Sequence, residues 1–379
     1  MTLSRRKTLA LIGGGTIFAA SSAAGFAVTR MPEDAVAPWA AAGGYDDPRL
    51  RALSYAILAP NPHNRQPWKV DVSVPGEVTL YVDTDRLLPH TDPFSRQIVI
   101  GLGCFLEVMR MAALEDGHSV ETVVFPDGSD PEALDARPVA RCRFVKADVV
   151  RDPLFAHVME RRSLKEPFDV ERPVDQAVLD RILAAARSSD VGGSVAPEDI
   201  AALRELSHEA LRIEIETPHT YKESVDLFRI GRREVNANPD GIDFSGPMFE
   251  AMALTGTFTR EAALNRESLA YTEGLKAVFA NTDTAMGHLW QVTRSNTRAD
   301  QIAAGRDWVR LNLAATAEGL GIQPLSQALQ EYPEMAQLYD DIHARLAPQG
   351  GTVQMFARIG YGPEVGASPR WALEEKIVG

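Results

Sequence analysis

Two short stretches decide the reading: Ala59-Pro60-Asn61-Pro62-His63-Asn64-Arg65-Gln66-Pro67-Trp68 and Glu160-Arg161-Arg162-Ser163-Leu164-Lys165-Glu166-Pro167-Phe168. The first is a polar loop braced by proline and capped by an aromatic. Such a loop holds amide side chains at fixed positions, which suits the hydrogen-bonding edge of a planar heterocycle. A plain helix-to-strand connection, with Trp68 as its core anchor, is the competing reading. The second stretch brings two guanidinium groups, a hydroxyl and an ammonium together between Arg161 and Lys165. Arginine's planar fork matches a phosphate in two-point geometry, and serine adds a neutral donor. A solvated basic turn has the same composition.

Working outward from the loop, a helix begins at Asp47-Pro48, an N-cap followed by proline at the first helical position. Leu50, Leu53 and Ile57 give it an apolar stripe at helical spacing. Beyond Trp68, Val70, Val72 and Val74 alternate, Pro75-Gly76 turns, and Val78, Leu80 and Val82 alternate back, as in a hairpin. The spacing of Ile98, Leu102, Leu106 and Met109 predicts a helix over 92–116 that stops at Gly117. Strand-like runs follow at 120–125 and 139–145.

Around the basic run the same plan recurs. A helical run at 179–187 stands where the first helix stood, 303–318 ends in Gly319 as the earlier helix ends in Gly117, and 352–359 echoes the strand at 139–145. A weak repeat on this scale predicts an α+β protein made of two fused, related halves, 47–150 and 151–379. A mostly helical insertion at about 208–298 has no partner in the first half. A Pro/Ala/Gly stretch at 31–46 reads as a linker.

The two stretches together resemble the nitroreductase family, in which an R-x-S-x-[RK] run in the first helix is followed by a P-S-x-x-N-x-Q-P-W loop. That resemblance implies an α+β fold with FMN at the dimer interface. Here the first half has the loop without the run, and the second has the run, with only Arg187-Ser188-Ser189-Asp190-Val191-Gly192-Gly193 where its loop should stand. A fused pseudo-dimer with one complete site is similar to the Acg-like subfamily, single chains with a helical lid over the flavin. The resemblance implies that Arg161, Arg162 and Ser163 contact phosphate and ribityl, and Lys165 the N1/O2 side of the ring. It implies that Pro60, Asn61, Pro62, Asn64 and Gln66 meet the ring from the other half. It also implies that the backbone of Gly321, Ile322, Pro324 and Leu325 approaches N5, and that Arg370 closes on the phosphate. Asn61 and Pro62 depart from the family, where small hydroxylated residues are usual. The expected function is passage of electrons through one FMN to a small oxidised acceptor such as a nitroaromatic or quinone. The alternative is a flavin-storage protein whose lid blocks turnover. No catalytic side chain is needed, because the flavin carries the chemistry.

The remaining features bound the answer. The 379 residues are 45% hydrophobic and 24% charged, a globular composition. A net charge of -13 gives nucleic-acid binding no electrostatic support. Cys104 and Cys142 form no disulfide framework or metal-ligand spacing, and His63, His90, His118 and His157 form none either. Ser4-Arg5-Arg6-Lys7-Thr8-Leu9 before a Gly/Ala-rich apolar run resembles a twin-arginine signal over 1–30. It implies export to the periplasm, with retention as a membrane anchor open beside cleavage. With its dimer internal, the chain is expected to be monomeric, and NAD(P)H is scarce outside the cytoplasm.

Overall fold

The computed structural model describes residues 31–379, so the signal read at 1–30 lies outside the described residues. The first element is a helix, α1 (Glu33–Ala41), where the sequence reads as a linker. Its alanines favour a helix while the internal Pro38 opposes one, and tertiary contact overrides that local cost. Trp39 is buried, and its indole N–H donates to Ser368 O at 2.8 Å.

The first half then runs α2 (Pro48–Ala56), β1 (Trp68–Asp71), β2 (Glu77–Val82), α3 (Arg96–Glu115), β3 (His118–Val124) and β4 (Ala140–Lys146). The Asp47 carboxylate caps α2 by accepting the Arg49 N–H. The second half runs α4 (Gln176–Leu183), β5 (Asp190–Ser194), then a long excursion, then β8 (Gly287–Thr293), α11 (Arg298–Ala317), β9 (Gly321–Pro324), α12 (Ala336–Leu346) and β10 (Thr352–Gly360). Each half forms a four-stranded antiparallel sheet, in the orders β1-β2-β4-β3 and β5-β8-β10-β9. Matched strand for strand, these are the same topology.

Helices α3 and α11 pack against each other between the sheets and are buried along most of their length. Arg96, Ile100 and Gly103 occupy the same helix positions in α3 as Arg298, Ile302 and Gly305 in α11. The crossing point is those two glycines: a Cβ on Gly103 would lie 2.3 Å from Ile302 O, and one on Gly305 would lie 2.0 Å from Ile100 O. The pairing is reciprocal, so a pseudo-dyad passes through the crossing. Only glycine permits backbones to approach this closely. One apolar core, from Leu53, Trp68 and Phe105 to Leu179, Trp308 and Ile359, spans both halves. α3 is also long and apolar enough to cross a membrane, but 83% of its most apolar window is buried in this core.

The excursion between β5 and β8 holds α5 (Pro197–Glu216), α6 (Pro218–Asp226), β6 (Phe228–Ile230), α7 (Gly231–Ala237), β7 (Ile242–Phe244), α8 (Pro247–Leu254), α9 (Arg260–Leu264) and α10 (Leu269–Asp283). It begins before residue 208 and ends before residue 298, because β8 is a central strand of the second sheet. Its opening helix belongs to the core: Leu203 and Ala210 of α5 pack with Leu329, Met335 and Phe356. Farther out, Phe228, Phe244, Phe249 and Phe258 pack against one another, mostly edge to face, with ring centroids 4.6 to 6.1 Å apart. Met248 and Leu254 remain exposed.

Glu214 pins α5 to the segment after β9. Its carboxylate accepts from Gln330 Nε2 at 2.8 Å, and it is buried, which pushes its pKa up from 4.5 to about 7. A carboxyl whose folded pKa is raised is neutral, and costs least, below its unfolded value; its ionisation opposes folding as pH rises through about 7. Glu214→Gln is therefore expected to melt higher than the parent at pH about 8, with the gap closing toward pH 5. An equal effect at both pH values in thermal melts would show that burial does not raise the pKa of this carboxyl above its unfolded value.

Candidate functional site

The two signature stretches meet. α2 ends at Ala56, and the loop that follows carries three non-glycine residues at positive φ: His63 at 46°, Asn64 at 50° and Gln66 at 50°. Such angles are uncommon outside glycine and persist where surrounding contacts over-determine them. Here those contacts are specific. Gln66 is fully buried; its amide N–H reaches Asn61 Oδ1 at 2.7 Å, its Nε2 donates to Pro239 O at 2.7 Å, and its Oε1 accepts from the Trp371 N–H at 2.9 Å. Asn64 Nδ2 donates to Pro369 O at 2.9 Å, and its Oδ1 accepts from Arg370 Nη1 at 2.6 Å. Pro60 is buried in the entry to the loop, while Asn61 and Pro62 are half-buried. Pro62 and Asn61 lie against Gly101 of α3, where an added Cβ would come within 3.1 Å of Asn61 Cβ.

Arg161 of the basic run is buried and aims Nη2 at Leu58 O, 3.4 Å away, at the start of the same loop. Arg370, equally buried, reaches Leu58 O at 3.1 Å and Ala59 O at 3.3 Å. Arg162 lies over the Trp39 ring at 4.4 Å from its centroid, and Arg370 over the same ring at 5.6 Å. Among the described residues no carboxylate forms an ion pair with any of the three. Burial first, and then the neighbouring cations, lowers Arg161 to about 10 and Arg370 to about 9. Arg161 Nη1, Arg162 Nε and Arg370 Nε are buried without a hydrogen-bond acceptor. A buried cation is costly unless paired, and unsatisfied N–H groups add to the cost. Three such groups in one place fit an anion that comes from outside the chain. Ser163 is half-buried beside them.

Lys165 is exposed at the tip of the run but hemmed in enough that desolvation lowers its pKa. Its charge acts on His63, which burial, together with Lys165 and Arg65, pushes down to about 4, so the imidazole is neutral near pH 7. The run is tied to the second sheet: the Leu164 N–H donates to Ile322 O at 3.0 Å. Gly321 and Ile322 therefore stand beside the run. Pro324 pairs with Ala357 in the sheet, and the Leu325 N–H donates to Phe356 O at 2.8 Å.

Four contributors escape sequence reasoning. Arg358 of β10 is fully buried, donates to Glu166 O at 2.7 Å and to Gln323 Oε1 at 2.6 Å, and stacks on Phe168 at 3.9 Å. It shapes the backbone of the basic run. Asp240, from the excursion, accepts from Arg229 Nη2 at 2.7 Å, from Arg65 Nη1 at 3.4 Å and from Arg86. With Pro239 O on Gln66 and the Gly241 N–H on Asn64 O, it clamps the loop from outside. Trp39 supplies the aromatic floor, and Lys376 Nζ holds Gln66 O at 3.1 Å. None lies in a local motif; a lone Trp, Asp or Lys in sequence has no marker of this kind.

No family description matches the chain. Two Mycobacterium tuberculosis proteins named "Putative NAD(P)H nitroreductase" are similar to it across most of its length. One, acg, is 27% identical over 343 residues, covering 86% of this chain and 93% of that protein. The second is 26% identical over 319 residues, covering 84% and 86%. Among solved structures, the FMN-dependent nitroreductase NfnB from Mycobacterium smegmatis aligns with 21% identity and a TM-score of 0.34, over 57% of this chain and 92% of that one. A nitroreductase-like protein from Bacillus cereus aligns with 12% identity and a TM-score of 0.31, over 61% and 97%. Over some 85% of its length, this chain is similar to the Acg-like proteins named as putative NAD(P)H nitroreductases.

Proposed function

We propose that the chain is an FMN-dependent oxidoreductase of nitroreductase type, holding one FMN between its halves and serving a small oxidised acceptor such as a nitroaromatic or quinone. The observation that carries this reading is the set of buried Arg161 and Arg370 with half-buried Arg162, three cations that each keep a buried N–H without an acceptor, and no carboxylate among them. A phosphate monoester supplies the missing charge and acceptors. Bound there, FMN supplies two-electron chemistry. The chain's own residues bind and orient: Arg161, Arg162, Ser163 and Arg370 hold the phosphate end, and Lys165 places a cation toward the N1/O2 side. The rigid 60–66 loop meets the ring edge, and the backbone at 321–325 lies on the N5 side. The mycobacterial relatives are named for NAD(P)H, and an exported enzyme would draw its electrons from another donor. Purified protein is expected to be yellow with one FMN per chain, read from absorbance and extracted-flavin stoichiometry. A colourless protein that takes up no FMN, or one holding two, would overturn the reading.

Export through the twin-arginine route belongs to the same proposal, since that route carries folded, cofactor-loaded proteins. Changing Arg5 and Arg6 to lysine keeps the charge and alters only guanidinium geometry. The variant is expected to stay in the cytoplasm, folded and flavin-loaded, in a fractionation experiment. Its normal export would assign the signal to the general secretory route.

A further inference from the structure

The pseudo-dyad relates the Arg161 cluster to a second group of arginines. Helices α2 and α4 stand at equivalent points of the two halves, and the carbonyl two residues beyond each is met by a buried arginine. Leu58 O receives Arg161 and Arg370, and Ala185 O receives Arg310 Nε at 2.8 Å. Beside Ala185 lies a cleft of about 430 Å³ lined by Arg110, Arg151, Asp152, Arg187 and apolar residues.

The two groups share arginines and differ in acids. At the second, Asp152 Oδ2 accepts from Arg310 Nη1 at 2.6 Å, Arg187 Nη2 at 3.1 Å and Arg110 Nη2 at 3.2 Å. The three donors come from three different elements, and the Asp152 side chain is 3% exposed. Glu107 takes a second bond from Arg110 at 2.7 Å and from Arg310 at 3.2 Å. The Asp307 carboxylate accepts the backbone N–H groups of Arg187, Ser188 and Ser189, at 2.8, 2.7 and 2.8 Å. That backbone segment is the counterpart of the loop that follows Leu58 in the other half. An oxygen receiving three guanidinium donors has the coordination of a bound phosphate oxygen.

We propose that Asp152 is a built-in stand-in for phosphate, closing a latent anion site that is the dyad mate of the Arg161 cluster. Removing its carboxylate leaves Arg110, Arg187 and Arg310 facing a solvent-connected cleft with fewer counter-charges, open to inorganic phosphate or a phosphate monoester. The inference rests on reading the first cluster as a phosphate seat, and not on which cofactor carries that phosphate. It also accounts for a single cofactor in a chain with two related halves.

The test compares the parent with Asp152→Ser and Asp152→Asn as full-length, flavin-loaded proteins, melted in chloride or in phosphate at matched ionic strength. Both variants are expected to melt below the parent in chloride. With phosphate on the order of 10 mM, Asp152→Ser is expected to recover saturably by about 3 °C while the parent does not move. A calorimetric titration should then count one phosphate per chain in the serine variant and none in the parent. No phosphate-specific shift in either variant, or failure of both to fold even with phosphate present, overturns the proposal. An equal shift in parent and variants also overturns it, since phosphate then sits elsewhere. Should the parent carry no flavin, the cofactor reading fails by its absorbance, and the parent-to-variant difference still reports on Asp152.

Discussion

Replacing Arg161 and Ser163 together by alanine is expected to yield a folded protein that no longer holds FMN. A charge-assisted hydrogen bond contributes about 1.5–3 kcal/mol and a neutral one about 0.5–1.5, so the pair should cost roughly 30- to 2,000-fold in affinity. The effect on the flavin-free protein runs the other way. Arg161 is buried beside other cations, and its pKa is lowered to about 10 by that burial and by Arg162. Its one acceptor, Leu58 O, keeps Arg370 at 3.1 Å when Arg161 is gone. Stripped of flavin, the variant should unfold at the same denaturant concentration as the stripped parent, or a higher one. Flavin titration and urea melts of both stripped proteins check the two halves of this expectation. Unchanged affinity would show that the basic run is surface only, and a large loss of stability would show that Arg161 is a structural cation.

The second large effect concerns where the excursion can be cut. A deletion from Asn238 to Leu264 removes Pro239 O and Asp240, and with them the bonds that close on Gln66, Arg65 and Arg86. Leaving three arginines around a missing carboxylate is costly, on the order of 3–5 kcal/mol. Asn64 and Gln66, both at positive φ, then each lose one of the contacts that hold them. This deletion is expected to lose flavin binding, and much of the protein to aggregation. A shorter deletion, 245–264 replaced by a glycine-serine linker, removes α8 and α9, including the exposed Met248 and Leu254, and leaves the clamp in place. It should keep FMN and speed its reduction by dithionite. Stopped-flow absorbance and flavin stoichiometry on the two deletion variants separate these outcomes. Retention of flavin by the longer deletion would show that Asp240 does not organise the site, and an unchanged reduction rate in the shorter one would show that α8 and α9 do not gate access.

Much of this architecture was legible in the sequence, for identifiable reasons. The Asp47-Pro48 start, the alternation across Pro75-Gly76 and the glycines after the two central helices are local signals, and local signals survive without tertiary information. The loop at 60–66 and the run at 161–165 were legible because each is dense in chemistry over a few residues. Helix α1 was not, because Trp39 is ordered by partners more than a hundred residues away. The limits of the excursion were missed for a related reason. The insertion was read from about 208, inside α5, and only the structure shows Leu203 and Ala210 packed into the second core. The contrast between the two arginine clusters was invisible too. Arg161 and Arg310 look alike as letters, and what separates them is whether an acid from a distant loop arrives to meet them.

The C-terminal segment gives the site a place in time as well as in space. The Arg370 N–H bonds Ala35 O, the Trp371 N–H bonds Gln66 Oε1, and the Val378 N–H bonds Val70 O, so residues 370–378 lie against the segment between residues 35 and 70. A ribosome releases the N-terminal half long before it makes these partners. Until residues 370 and 371 are made, Asn64 lacks Arg370 and Gln66 lacks Trp371, and the anion seat is short of one of its guanidiniums. The seat is therefore finished by residues synthesised about three hundred positions after the loop that they close.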